Sequence, residues 1–87
     1  MADLKAEFQL AVEAVKKLPS DPGNEGKLQL YALYKQATAG DVQGKRPGFT
    51  DFVGRAKYDA WTGQKGLTPE QAMSKYVELC RSLGAQV

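Results

Sequence analysis

The residues best suited to chemistry lie in the segment YALYKQATAG, residues 31–40. Tyr31, Tyr34 and Lys35 stand three and four residues apart, and with Leu28 they would share one face of a helix, here named the tyrosine face. A tyrosine hydroxyl can donate a hydrogen bond to an anion, and its ring offers an apolar surface. Lysine adds a mobile positive charge that suits phosphate. The tyrosine face therefore predicts a phosphate-bearing ligand, with a nucleotide as first candidate because bases stack on aromatic rings.

Two further lysines border apolar faces elsewhere in the chain. Lys57 lies beside the apolar side of a predicted third helix, and Lys16 lies in the last turn of a predicted first helix. Lysines from three helices would then converge on one anion. The structural alternative is that Tyr31 and Tyr34 cap the rim of the core while Lys35 extends to solvent. Residue spacing alone leaves both interpretations open.

The composition argues against an enzyme. The chain has no histidine and a single cysteine, Cys80, so the commonest general base and the usual zinc ligand sets are missing. A hydrolase that works by nucleophilic attack would need a nucleophile beside a base, and no such pair is evident. Asp51, Asp59 and Glu70 are candidates for a carboxylate pair, but acids on helix faces are usually solvated. Cys80 falls at core spacing and is predicted to be a buried structural thiol. We expect no catalytic residue, no cofactor and no metal.

Charge and hydropathy set the expected surroundings. One cysteine cannot form a disulfide within the chain, which favours a reducing, cytoplasmic location. No run approaches the ~20 apolar residues of a membrane span, and no signal peptide is visible, so stable membrane insertion is not expected. The net charge of +2 is mild and its basic residues are interspersed with acids, which disfavours nucleic acid as a partner. A monomer is expected.

The periodicity of the apolar residues predicts four helices and no strand. Their predicted ranges are residues 4–18, 24–39, 51–62 and 69–83. Asp3, Asn24 and Thr68 are the predicted N-caps, because a short polar side chain can accept a hydrogen bond from the first turn. The signal at Thr68 is the clearest, because Pro69 follows it and Gln71 completes a capping box.

The predicted architecture is a single all-α domain over residues 1–87, a four-helix bundle. The glycine-rich segment of residues 40–49 is too long for a tight helix turn and predicts a crossover loop between helices 2 and 3. That loop would let these helices run parallel, so the predicted topology is up-down-down-up. In the third helix, Phe52, Val53, Ala56 and Ala60 are predicted to lie on one side, with Phe49 packing just before it.

The second helix has two apolar clusters. Leu30, Leu33 and Ala37 form the one predicted to enter the core, and the tyrosine face is centred roughly 130° away on a helical wheel of about 100° per residue. Gln29 and Gln36 are predicted to lie on the wet side. A helix that only covered a core would need the leucine cluster alone, so the tyrosine face is assigned a separate function.

The motifs resemble those of the acyl-CoA-binding protein family over nearly the whole chain, from Phe8 to about Val77. They are YALYKQATAGD, RPG at residues 46–48, DF at residues 51–52 and AKYDAW at residues 56–61. The resemblance implies an up-down-down-up four-helix bundle that carries long-chain fatty acyl-CoA with high affinity and is not catalytic. It also implies that Tyr31, Lys35 and Lys57 contact the 3'-phosphate of the adenosine. The family's other aromatic contacts match Tyr34 and Tyr76, and a supporting basic position matches Lys16.

The acyl tail is expected to lie in a shallow apolar groove lined partly by Leu28 and Met73. Lys27 departs from the family pattern, which often has methionine or another apolar residue there, so the wall of the groove is expected to be altered. The alternative function is a small helical protein-interaction module, whose signature would be an exposed apolar patch left after packing.

Overall fold

The computed structural model describes residues 3–86, which form four α-helices and contain no strand. Their bounds are α1 Leu4–Val15, α2 Gly23–Ala39, α3 Phe52–Thr62 and α4 Pro69–Ser82. The predicted all-α, four-helix fold class is therefore confirmed. None of these helices combines the length and apolar character needed to cross a bilayer.

Two of the three predicted N-caps are correct. Asp3 accepts a hydrogen bond from the Ala6 N–H at 2.7 Å, and Thr68 and Gln71 form both bonds of a capping box, at 2.9 and 3.1 Å. Asn24 is not a cap, because α2 begins at Gly23, whose φ of 82° is costly for other residues. The N-cap residue is Pro22, which makes no side-chain cap bond, and the Asp21 carboxylate accepts from the Gly23 N–H at 3.2 Å.

α1 is shorter at its C-terminus than predicted. It ends at Val15, whereas the apolar periodicity extends to Leu18. The Lys16 and Lys17 N–H groups already bond to Glu13 and Ala14 carbonyls three residues back, so the last turn has left the α-helical pattern. Pro19 disfavours helical dihedrals at Leu18, which explains why the chain does not continue as a helix.

The core lies where α1, α2 and α4 meet. Its buried members are Phe8, Ala11, Leu30, Leu33, Ala37, Ala72, Tyr76, Val77 and Cys80. This confirms that the leucine cluster of α2 enters the core. The Cys80 Sγ lies 3.8 Å from the Ala11 carbonyl oxygen, and burial raises the pKa of its thiol. Cys80 is thus a buried structural thiol, as predicted.

The contacts between the helices indicate how the helices are arranged. α2 packs against both α3 and α4, and α1 packs against α4. Between α2 and α3, Tyr31 pairs with Lys57 and Lys35 pairs with Trp61, so the partners advance along both helices together. Parallel helices would give that order. The up-down-down-up arrangement stays a prediction, and these pairs support it.

The predicted position of Gln36 on the wet side of α2 is wrong, because this residue is completely buried (0% exposed). Its Nε2 donates to the Asp41 Oδ1 at 2.8 Å and to the Leu67 carbonyl at 2.9 Å. The Gly66 N–H donates to the same Asp41 oxygen at 2.9 Å, and these bonds lower the pKa of that carboxyl. Gln36 therefore ties the C-terminal end of α2 to the connections on either side of α3.

The connection formed by residues 40–51 lies along α3. The Trp61 Nε1–H donates to the Gly40 carbonyl at 2.8 Å, and the Tyr58 hydroxyl donates to the Gly44 carbonyl at 3.0 Å. Arg46 donates two bonds to the Asp59 carboxylate, at 2.9 and 2.7 Å. This bidentate pair lowers the pKa of Asp59, which is therefore a structural acid that fixes the loop on the helix.

Candidate functional site

Three predicted site residues meet where α2 packs against α3. The Lys57 Nζ lies 5.4 Å from the ring centroid of Tyr31. One turn further along, the Lys35 Nζ lies 5.1 Å from the ring centroid of Trp61. Both are cation–π pairs that join one helix to the other. In the sequence, Trp61 stands out only as part of a family motif, although its spacing of four from Lys57 is a usable signal.

These contacts form a seam between α2 and α3, made of Tyr31, Lys35, Lys57 and Trp61, and they leave positive charge available there. Among residues 3–86, the ion pairs involve Lys16, Lys27 and Arg46, and neither Lys35 nor Lys57 takes part in one. An aromatic face holds an ammonium through its quadrupole without neutralising it. The seam therefore offers two ammonium groups and the Tyr31 hydroxyl to an anion such as a phosphate.

An apolar groove adjoins this seam, here named the α2–α3 groove. It encloses about 360 Å³ and is lined by Asn24, Lys27, Leu28, Phe52, Val53, Ala56 and Lys57. Phe52 and Val53 are 76% and 67% exposed. These two residues share one side of α3 with Ala56, as predicted, whereas the predicted packing of Phe49 is wrong, because Phe49 is also exposed. Within the described residues α3 packs against α2 alone, so its apolar side is left open to a ligand.

The two remaining tyrosines differ in accessibility. Tyr34 is 41% exposed and stacks on Phe8 at 5.9 Å between ring centroids. Tyr76 is buried, meets Phe8 edge-on at 5.1 Å and lies 6.5 Å from Tyr34. Burial raises the pKa of Tyr76 to about 12. Tyr34 is open to a ligand, whereas Tyr76 is chiefly a core residue that offers little surface.

The observed contacts do not place Lys16 or Met73 at the seam. The Lys16 Nζ lies 3.6 Å from Glu13 on its own helix, and both side chains are exposed. Met73 lines a separate cavity of about 410 Å³, together with Phe8 and Ala37. The expectation that Leu28 and Met73 line one groove is therefore wrong. Leu28 lines the α2–α3 groove, and Met73 lines the second cavity with residues of α1 and of the C-terminal part of α2.

No metal chemistry is offered by the part of the chain that the structure describes. Within residues 3–86, no three His, Cys, Asp or Glu side chains are grouped closely enough to hold an ion. What the arrangement can do is bind: a cationic, aromatic seam lies directly beside an open apolar groove.

Comparison with known proteins places this fold and site. Residues 5–80 match the family model described as acyl CoA binding protein. The chain is 46% identical to an acyl-CoA-binding protein of Ricinus communis over 92% of this chain and 89% of that protein. It superposes on the crystal structure of Oryza sativa acyl-CoA-binding protein 2 with a TM-score of 0.88 and 43% identity, covering 93% of this chain and 90% of that one. The chain belongs to the acyl-CoA-binding protein family.

Some relatives are much longer than this chain. The chain is 48% identical to the enoyl-CoA delta isomerase 2 of Rattus norvegicus over 98% of its own length, but it spans only 22% of that protein. The likeness to the isomerase therefore concerns a domain of the length of this chain.

Proposed function

We propose that this protein binds long-chain fatty acyl-CoA thioesters with high affinity and carries or buffers them, without catalysis. The observation that supports this best is the position of Lys57. It lines the α2–α3 groove and lies over the Tyr31 ring, so one residue belongs to both the apolar and the cationic part of the site. A long acyl-CoA has the same two parts, a hydrocarbon tail and a phosphorylated head.

In this proposal the head binds at the seam between α2 and α3. Tyr31, Lys35 and Lys57 hold the 3'-phosphate of the adenosine, as the family resemblance implies. The open ring of Tyr34 contributes an aromatic contact beside them. Tyr76 and Lys16 keep supporting roles, the first through the little surface it exposes and the second as a basic position on α1.

The tail lies in the α2–α3 groove against Leu28, Phe52 and Val53. The exposed apolar surface of Phe52 and Val53 would leave water when a chain covers it, which favours binding by about 25 cal/mol per Å². The groove adjoins the seam through Lys57, so head and tail are held on one side of the molecule. We also propose that the protein is monomeric and cytoplasmic.

The direct test is isothermal titration of the protein with palmitoyl-CoA below its micelle concentration, in parallel with free CoA and free palmitate. We expect a tight one-to-one isotherm for the thioester and weak binding for the other two, because each satisfies only one part of the site. If CoA bound as tightly as palmitoyl-CoA, the groove would have no role in binding.

Removing either seam lysine should weaken binding without unfolding the protein. Lys35→Ala and Lys57→Ala are each expected to raise the free energy of palmitoyl-CoA binding by about 1.5–3 kcal/mol, the range for hydrogen bonds to charged groups. The stability loss should stay below about 1 kcal/mol, since each lysine contributes one cation–π contact at most. Titration and urea unfolding measure the two quantities.

Lys75→Ala is the matched control for this pair. Lys75 is an exposed lysine on α4 that lines a different cavity, with Gln29 and Leu79. The Lys75→Ala variant removes the same charge from the protein, and its free energy of palmitoyl-CoA binding should stay within about 0.5 kcal/mol of the parent value. An equal loss in all three variants would mean that net charge, rather than the seam, governs binding.

A second candidate function is a protein-interaction module. It is favoured by the exposure of Phe49, Phe52 and Val53, which form an apolar surface at the start of α3. The same titrations separate the two functions. If palmitoyl-CoA, CoA and palmitate all gave no heat while the protein was folded, the interaction module would be the better assignment.

A further inference from the structure

The far end of the α2–α3 groove carries a second cation. Lys57 marks the end beside Tyr31, whereas Lys27 and Asn24 line the groove near the start of α2. At 1.5 Å per residue, the stretch of α2 from Asn24 to Tyr31 is about 10 Å long. A chain anchored at the seam and lying along this groove therefore runs toward an ammonium and an amide rather than toward hydrocarbon alone.

The Lys27 side chain lines the groove, and its ammonium is held by an ion pair with Asp21. Its Nζ lies 3.0 Å from the Asp21 Oδ1, with both side chains more than half exposed. An ammonium has three donors, so one bond to Asp21 leaves two for another acceptor. Its methylene stem can line the groove while its charged end stays in water. Asp21 thus positions Lys27 and also competes for it.

Resting on the proposed function, we infer that the groove accepts acyl chains whose far end carries an oxygen group, such as an ω-carboxyl or an ω-hydroxyl, with Lys27 as the residue that sets this tolerance. A carboxylate or hydroxyl that enters an apolar groove loses water and needs a new partner. Lys27 provides it at the groove end, and the Asn24 amide adds a donor. A methyl-ended chain needs neither group.

The test compares dissociation constants for hexadecanedioyl-CoA and palmitoyl-CoA, and the measured quantity is their ratio. In Lys27→Met the ratio should rise at least about threefold, as expected for loss of one exposed charge pair. It should rise because diacid binding weakens while palmitoyl-CoA binding does not. Raising the salt concentration should reduce the difference, since the pair is exposed to solvent.

Asp21→Asn should shift the ratio the other way. It removes the competing charge and frees the Lys27 ammonium, while its side-chain oxygen can still accept from the Gly23 N–H. Lys75→Met makes the same charge change elsewhere and should leave the ratio unchanged. Dodecanedioyl-CoA and ω-hydroxypalmitoyl-CoA complete the set, the first because its shorter chain places the carboxylate nearer the seam and the second to separate charge from hydrogen bonding.

The outcomes are distinct. A higher ratio in Lys27→Met that comes from weaker binding of any of the three oxygen-ended chains supports the inference, and such a rise for the diacids alone assigns it to charge. An unchanged or lower ratio for all three, or a rise that comes only from tighter palmitoyl-CoA binding, overturns it. If the parent protein did not bind palmitoyl-CoA at all, that result would overturn the proposed function.

Discussion

Palmitoyl-CoA is expected to bind this protein on the order of a hundredfold more tightly than octanoyl-CoA. Each methylene that leaves water contributes about 0.8 kcal/mol when fully buried. The α2–α3 groove is open, with Phe52 and Val53 largely exposed before a chain covers them. If about half of the full gain is realised, the extra hydrocarbon of palmitoyl contributes about 3 kcal/mol, which corresponds to that ratio.

Competition titration of the two thioesters measures this difference, and Leu28→Ala is the informative variant. Leu28 lines the groove and lies on the tyrosine face. Its truncation should lower the affinity for palmitoyl-CoA more than the affinity for octanoyl-CoA, and should change the affinity for free CoA least. Equal affinities for octanoyl-CoA and palmitoyl-CoA in the parent protein would show that the tail does not lie in this groove.

Leu33→Ala is expected to lower the free energy of unfolding by about 2–5 kcal/mol, the range for truncating a buried leucine. Leu33 is 4% exposed and belongs to the core formed by α1, α2 and α4. The cost combines the lost transfer of the side chain from water with the cavity left behind. In a domain of 87 residues this is a large share of the total stability.

Leu10→Ala is the matched control for the core. Leu10 is 60% exposed on α1, so the same truncation should change stability by no more than about 0.5 kcal/mol. Urea unfolding followed by circular dichroism measures both variants, with Lys35→Ala as a third. Should Lys35→Ala destabilise the protein as much as Leu33→Ala, the separation of α2 into a core face and a binding face would be incorrect.

Several features of the fold were predictable because they depend on neighbours in sequence. A capping box needs only Thr68 and Gln71 at the right spacing, and both of its bonds form. The burial of Leu30, Leu33 and Ala37 follows from their shared position on α2 and their apolar character. The burial of Cys80 follows in the same way from its position on α4.

Other features required the packing of helices far apart in sequence. Gln36 resembles a solvent-facing glutamine until the connections before and after α3 bring Asp41 and the Leu67 carbonyl to its amide. Likewise, no spacing rule assigns Leu28 and Met73 to different cavities.

The sequence by itself determined the four helices, the two faces of α2 and the residue types that could hold a phosphate, since helical periodicity is local. Only the tertiary structure decided which apolar faces are covered. α3 packs against α2 within the described residues and contributes no buried side chain, so Phe52 and Val53 face a groove rather than the core. Burial depends on the neighbours that the fold supplies, and periodicity alone does not specify them.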